Sequence, residues 1–215
     1  DLPKAKELEY ASRQVTSIEI NATFYRTQSA ASFKKWAAAT PDDFMFSVKA
    51  PRAAVQRKDL REAKDSIEWF LNSGIGELGS KLGPIFWQMA PYKKFDAAEM
   101  EAYFDLLPEK LGKLRLRHAL EVRHDSFACD AFLALARARN IAVATVESEK
   151  HPLIVAPTAD FAYARLERAK ADEPTGYSQP ALKKWAETAR AWEKSGDVFL
   201  YFISGAKERN PAAAA

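Results

Sequence analysis

Short apolar segments of this chain carry charged residues at matching places. Glu19 lies in Ser17-Ile18-Glu19-Ile20-Asn21 and Lys49 ends Phe46-Ser47-Val48-Lys49. Glu121 and Arg123 lie in Ala119-Leu120-Glu121-Val122-Arg123, and Arg165 lies in Tyr163-Ala164-Arg165-Leu166. Two carboxylates on different segments could form an acid/base pair. They could instead bind a divalent metal, with Asn21 and Gln88 as neutral oxygen ligands, or hold basic side chains in place. Lys49, if buried, could act as a Schiff-base or general-base lysine; a phosphate contact is the simpler use, and the favoured one. Lys49, Arg52, Arg123, Arg165 and Lys207 outnumber Glu19 and Glu121. Guanidinium forks suit phosphate and carboxylate groups, so an anionic substrate is expected. The competing reading neutralises each arginine with a glutamate in a structural lattice.

The histidines are sparse: His118, His124 and His151, with no HxH, HExxH or Cys/His cluster. A polynuclear zinc site normally consumes several histidines, so none is expected. His118 begins a strand-like segment and reads as structural, and His151 before Pro152 reads as a loop residue. His124, following Arg123, is the histidine nominated for the site. Cys129 has no matched base in the sequence and reads as packing. Aromatic residues such as Phe24, Trp87, Tyr163, Tyr177 and Tyr201 could stack on a base or sugar, but most are expected in the core. Tyr25, just beyond Asn21, is the best placed of them for substrate contact. Lys110, Lys113, Arg115 and Arg117 form a basic run that reads as a solvated face.

The elements that must position these groups alternate. Strands are expected over 16–21, 43–49, 84–88, 118–123, 141–147, 161–166 and 197–202, and helices over 4–13, 29–40, 67–78, 97–107, 131–139 and 180–194, with Ser29 as an N-cap. Alternating β and α at this spacing implies a parallel sheet with helices packed outside. The expected fold is α/β, a TIM (β/α)8-type barrel forming a single domain over 1–215. Seven strands are read where a closed barrel needs eight, and the simplest reading puts the first strand before Asp1. An open doubly wound sheet is the runner-up, but no Gly-rich phosphate fingerprint supports it. Alternation along each strand sends Ser17, Glu19 and Asn21 to one face and Ile18 and Ile20 to the other. By the same argument Ser47 with Lys49, Glu121 with Arg123, and Tyr163 with Arg165 share the inward phase, as do Gln88 and Tyr201. Most of these polar residues end their strands, where (β/α) barrels carry out chemistry.

Bulk properties narrow the classes. The chain has 215 residues, 47% hydrophobic and 28% charged, which is globular composition. A net charge of +3 permits nucleic acid as a partner without demanding it. Cys129 is the lone cysteine, so no internal disulfide can form, and a reducing, cytoplasmic setting is expected. No apolar run approaches the ~18 residues of a membrane span, and no signal peptide is visible. The chain opens at Asp1 without a methionine, so the true N-terminus, with any signal it carries, is expected upstream.

Five segments, in order, resemble the motifs of the YecE-like family (DUF72): Ile18 to Tyr25, Phe46 to Arg52, Lys81 to Gln88, Arg117 to His124, and Thr158 to Leu166. The resemblance implies a TIM-barrel-like fold with its site at the strand ends; the family's activity is not established. The family's opening Gly-Trp strand is missing, Glu167 and Arg168 stand where it has His-Gly, Val146-Glu147-Ser148 stands where the sixth strand often ends in Asp, and Phe202 to Lys207 departs from its usual strand ending. The expectation is an enzyme for a small anionic substrate. Glu19, Glu121 and Lys49 are the catalytic candidates, and Asn21, Tyr25, Arg52, Gln88, Arg123, His124, Arg165 and Tyr201 the substrate-binding ones. The rivals are a nucleic-acid-binding or repair-nuclease-like barrel and a non-catalytic ligand-binding protein.

Overall fold

Hydrophobic strands separated by amphipathic helices give the alternation that the sequence implies. The computed structural model describes residues 2–215, and the chain divides into two units. Unit 1 runs to Gln88 and takes in Asp96–His118; unit 2 comprises Met89–Phe95 and Ala119–Ala215. The fold is α/β with mainly parallel strands.

Unit 1 begins with a 3-10 turn leading into helix α1 (Glu7–Ala11) and continues through β1 (Ser17–Ile20), α2 (Ala30–Ala38), β2 (Met45–Lys49), α3 (Arg52–Val55), α4 (Lys64–Leu71), β3 (Leu82–Gln88) and α5 (Ala97–Asp105). A hairpin of β4 (Lys110–Leu111) and β5 (Leu114–Arg115) closes it. Strand β2 lies between β1 and β3, parallel to both. All of β3 is buried, as expected of a parallel strand covered on both faces. Its Pro84 has no N–H to give the ladder, and the register slips by one residue there: Phe46 pairs with Leu82, but Val48 pairs with Ile85. The Ser47 hydroxyl bridges the slip by donating to Pro84 O at 3.0 Å.

Helix α2 is fixed at both ends. Ser29 caps it as expected, its Oγ accepting from the Ser32 N–H at 3.2 Å. Buried Lys81 closes the other end, its Nζ donating to Ala37 O at 2.6 Å and Thr40 O at 2.8 Å. The helix expected over 67–78 instead starts at Lys64 and stops at Leu71. Gly74, at φ 109°, then reverses the chain into a 3-10 segment, Ile75–Lys81. Only glycine suits that turn, because a Cβ there would collide with Ala30 of α2. The basic run around Lys110 is the hairpin, and Lys110, Lys113 and Arg115 are exposed as expected.

Unit 2 holds β6 (His118–Glu121) from Ala119 onward, α6 (Asp130–Ala138), β7 (Ile141–Val143), β8 (Thr145–Glu147), β9 (Phe161–Leu166), α7 (Gln179–Glu193), β10 (Asp197–Phe202) and α8 (Asn210–Ala214). The single strand expected over 141–147 is cut at Ala144, whose N–H donates to Leu120 O of β6 at 2.8 Å. Beyond the cut, β8 pairs parallel with β9, and β9 with β10. Threonines tie the next loop down: Val143 N–H donates to Thr158 Oγ1 at 2.8 Å, and Thr145 Oγ1 donates to Ile154 O at 3.0 Å. Phe127 and Phe132 stack edge to face at 4.9 Å under α6. Among the described residues, no helix is long and apolar enough to cross a membrane.

Candidate functional site

The unit 1 candidates fall into two groups. Glu19 and Asn21 bracket the end of β1, and Asn21 Nδ2 donates to Glu19 Oε1 at 2.8 Å. Lys49 ends β2 and is buried, its ammonium 4.4 Å from the Phe24 ring centroid and 5.8 Å from that of Phe86. Thr23 Oγ1 donates to Lys49 O at 2.7 Å, tying the loop after β1 to the end of β2. Gln88, closing β3, is buried. Arg52 opens α3 and is exposed. Tyr25, 84% exposed, touches Phe24 edge to face.

Trp87 and His118 form a buried polar pair. The Trp87 Nε1–H donates to His118 Nδ1 at 3.0 Å, leaving His118 Nε2 to donate to Pro108 O at 2.9 Å. Burial holds the imidazole pKa below its ordinary value, against the pull of the Pro108 bond. His118 is structural, as its place at a strand start implies.

Unit 2 brings Glu121, Arg123 and Arg165 together. Glu121 ends β6 with 0% exposure. Arg165, the penultimate residue of β9 and 3% exposed, donates from Nη1 to Glu121 Oε2 at 2.5 Å. Arg123, two residues past β6, donates from Nε to Glu121 Oε1 at 2.5 Å. Burial alone would raise the Glu121 pKa, but the two guanidiniums and their hydrogen bonds outweigh it and bring it below the ordinary carboxylate value. Glu121 is thus an ionised anchor with both oxygens occupied. The Tyr163 and Tyr201 rings, centroids 5.3 Å apart, flank Arg165 on β9 and β10, Tyr201 standing opposite Arg165 in register. His124 caps the 3-10 turn Asp125–Phe127, its Nδ1 accepting from the Ser126 N–H at 3.1 Å.

Two residues escaped the sequence reading. Glu167 accepts from Arg165 Nη1 at 3.1 Å, so one amine bridges two carboxylates. Tyr163, Arg165 and Glu167 continue one period-2 phase, the signal that marks Glu167. The excess of positive charge read from the sequence is absent here, since Arg123 and Arg165 are matched by Glu121 and Glu167. Glu147, ending β8, accepts from the Tyr177 hydroxyl at 2.8 Å and from Trp185 Nε1 at 3.3 Å. The Tyr177 oxygen in turn accepts from the Arg168 N–H at 2.8 Å, pinning the loop after β9. Burial first, and the Glu147 bond second, push the Tyr177 pKa well up.

No group of three or more His, Cys, Asp or Glu side chains that could hold a metal occurs among the described residues. A cation on Glu121 would have to displace a guanidinium from whichever oxygen it took. A cavity of about 150 Å³ lies at the opposite ends of the unit 2 strands, lined by Ala142, Thr158, Phe161, Ala162 and Trp192 among others. Its walls carry no charged group, whereas Glu121, Arg123, Glu147, Arg165 and Glu167 lie at the strand C-terminal ends.

The sequence model of the family described as "Protein of unknown function DUF72" matches residues 1–215. The chain belongs to the DUF72 family. A DUF72 protein of Enterococcus faecalis superposes with a TM-score of 0.78 at 14% identity, covering 99% of this chain and 92% of that one. A DUF72 protein of Thermotoga maritima gives 0.74 at 21% identity, over 98% and 88%. A D-psicose 3-epimerase, solved in the presence of D-fructose, gives 0.55 at 13% identity, over 99% and 85%. At these identities the likenesses show the fold alone. No curated protein matches the chain. The DUF72 match spans both units and contains all five motifs read from the sequence.

Proposed function

We propose that this DUF72 protein is an enzyme for a small phosphate- or carboxylate-bearing substrate, bound at the C-terminal strand ends of unit 2 with Arg123 as its principal anion contact. The observation that carries this reading is the state of Arg123. Its Nε is fixed on the buried Glu121 carboxylate at 2.5 Å, while its two terminal amines donate to no described residue. A guanidinium held by its inner edge keeps its outer fork oriented for an incoming anion, so less side-chain entropy is lost on binding. Arg165, locked on the same carboxylate, holds Glu121 in place beside it. In this reading Glu121 positions the arginines and does not transfer protons, since an ionised carboxylate with both oxygens engaged is a weak base.

The finer fold assignment, a TIM-type (β/α)8 architecture forming one domain over 1–215, belongs to the same proposal. It fits chemistry at strand C-terminal ends and rests on analogy of fold where reaction type is concerned. Lys49 is proposed as a phosphate contact of unit 1. Cys129 is a free thiol, in keeping with a reducing compartment such as the cytoplasm.

The test is calorimetric titration of the protein with inorganic phosphate at low salt, repeated on Arg123→Gln, which keeps a donor for Glu121. Saturable binding that weakens by about tenfold or more in the variant, with the circular dichroism spectrum unchanged, is expected for the loss of one charged contact. Equal affinity in the two proteins would overturn the assignment. Turnover is then sought among phosphorylated and carboxylated metabolites, with Arg123→Gln as the control that must lose it.

A further inference from the structure

Three glutamates end strands or begin loops on the unit 2 site face, and their oxygens are differently committed. Both oxygens of Glu121 are taken by guanidinium N–H groups. Those of Glu147 are taken by the Tyr177 hydroxyl and the Trp185 indole. Glu167 is half committed: Oε1 accepts from Arg165 Nη1 at 3.1 Å, and Oε2 accepts from no described residue. Its side chain is part-exposed, so a ligand can reach it.

The charges therefore form a chain, Arg123–Glu121–Arg165–Glu167, alternating in sign. Its two middle members are buried, and the carboxylate between the arginines is saturated. Its two ends each keep an open edge, and the open edges differ in kind: one offers N–H donors with positive charge, the other a carboxylate acceptor with negative charge.

Resting on the anion reading above, we infer that the ligand of this site carries a hydrogen-bond donor, hydroxyl or ammonium, close to its anionic group, and that Glu167 Oε2 is the acceptor for it. The class is that of hydroxy acids, amino acids and their phosphorylated counterparts. A simple anion satisfies Arg123 alone and feels the Glu167 charge as repulsion. A donor-bearing anion satisfies both ends and turns that repulsion into a charge-assisted hydrogen bond. Discrimination of this sort is large where a site's polar group is otherwise left without its partner.

The experiment compares propionate, lactate and alanine, which share a three-carbon carboxylate and differ in the group beside it. Each is titrated calorimetrically into the wild-type protein, Glu167→Ala and Glu167→Gln, with inorganic phosphate as the common reference. The wild type is expected to bind lactate or alanine about tenfold more tightly than propionate. Glu167→Ala should erase the preference while binding propionate at least as tightly as the wild type. Glu167→Gln should keep a preference for lactate, whose hydroxyl can accept from the amide N–H that faces the ligand while the amide oxygen stays on Arg165, and lose one for alanine, whose ammonium has no lone pair and needs the charge; these patterns separate the two donors. Propionate binding as tightly as both other ligands in the wild type, or a preference that survives Glu167→Ala, would overturn the role of Glu167 while leaving the anion site standing. If neither phosphate nor propionate binds, the anion reading itself falls.

Discussion

In unit 1 the Trp87 indole donates to His118, and His118 donates to Pro108 O, so a buried polar relay closes on itself with no charge in it. In unit 2 four charges run Arg123–Glu121–Arg165–Glu167, and both ends stay open. The two networks begin from the same need, a partner for every buried polar atom. They meet it differently. The neutral relay needs three groups, and its burial costs little once each bond is made. The charged chain buries a full carboxylate and compensates it with two guanidiniums, an arrangement an apolar core would replace without loss of stability. What the costly version provides is oriented charge at a solvent-reachable edge. Its charge and its open termini are what the closed relay lacks.

Arg165→Ala should destabilise the protein most. It leaves Glu121 buried with half its compensation, and a loss of about 3–5 kcal/mol is expected in urea unfolding; a change below about 1 kcal/mol would mean that the carboxylate is not the buried anchor described. His118→Ala should cost less, about 2–3 kcal/mol, from the orphaned Trp87 N–H and the space the ring leaves. A larger loss there than for Arg165→Ala would reverse the ranking of the two networks.

Acid should separate the networks in sequence. Both groups have a folded pKa below the unfolded one, so each contributes stability that is present above the unfolded value and lost as pH falls through the folded one. His118 should begin to weaken the fold below about pH 6.5 and Glu121 below about pH 4.5, the ordinary values of the two groups, each by at most about 1.4 kcal/mol per pH unit. Thermal melts across pH 3–8 read this directly. In His118→Leu the loss specific to the upper window should vanish while that of the lower one stays; an unchanged upper slope would show that His118 is not its source. Tyr25→Ala should do least, within about 0.5 kcal/mol, since the ring is 84% exposed. A greater loss would mean that its edge contact with Phe24 carries more than local packing.

The order of elements was legible because it depends on local pattern. Six of the seven expected strands form unbroken, the one over 141–147 being cut in two, and Ser29 caps α2 through its own hydroxyl. The phase of β9 likewise put Tyr163 and Arg165 on one face. Partnership was less legible. Arg165 meets Glu121 across 44 positions of sequence, and no spacing rule says which arginine meets which carboxylate. Glu167 was passed over because it stands where the family has histidine, although the alternation of β9 runs straight through it. The division of the 141–147 strand at Ala144 and the break of the helix at Gly74 were hidden for a related reason. Each is imposed by a neighbour, Leu120 O in one case and Ala30 in the other, and neither neighbour is near in sequence.

The proposed anion site requires Arg123 to present a fixed, unoccupied fork at the unit 2 strand ends. Side-chain nitrogen NMR of the arginines during titration with inorganic phosphate tests it most directly, with Arg123→Gln and Arg115→Gln supplying the assignments. The Arg123 resonances should shift saturably while those of Arg115, exposed on the hairpin, stay near their starting positions. Equal, non-saturating shifts at both, or no shift at Arg123, would contradict it.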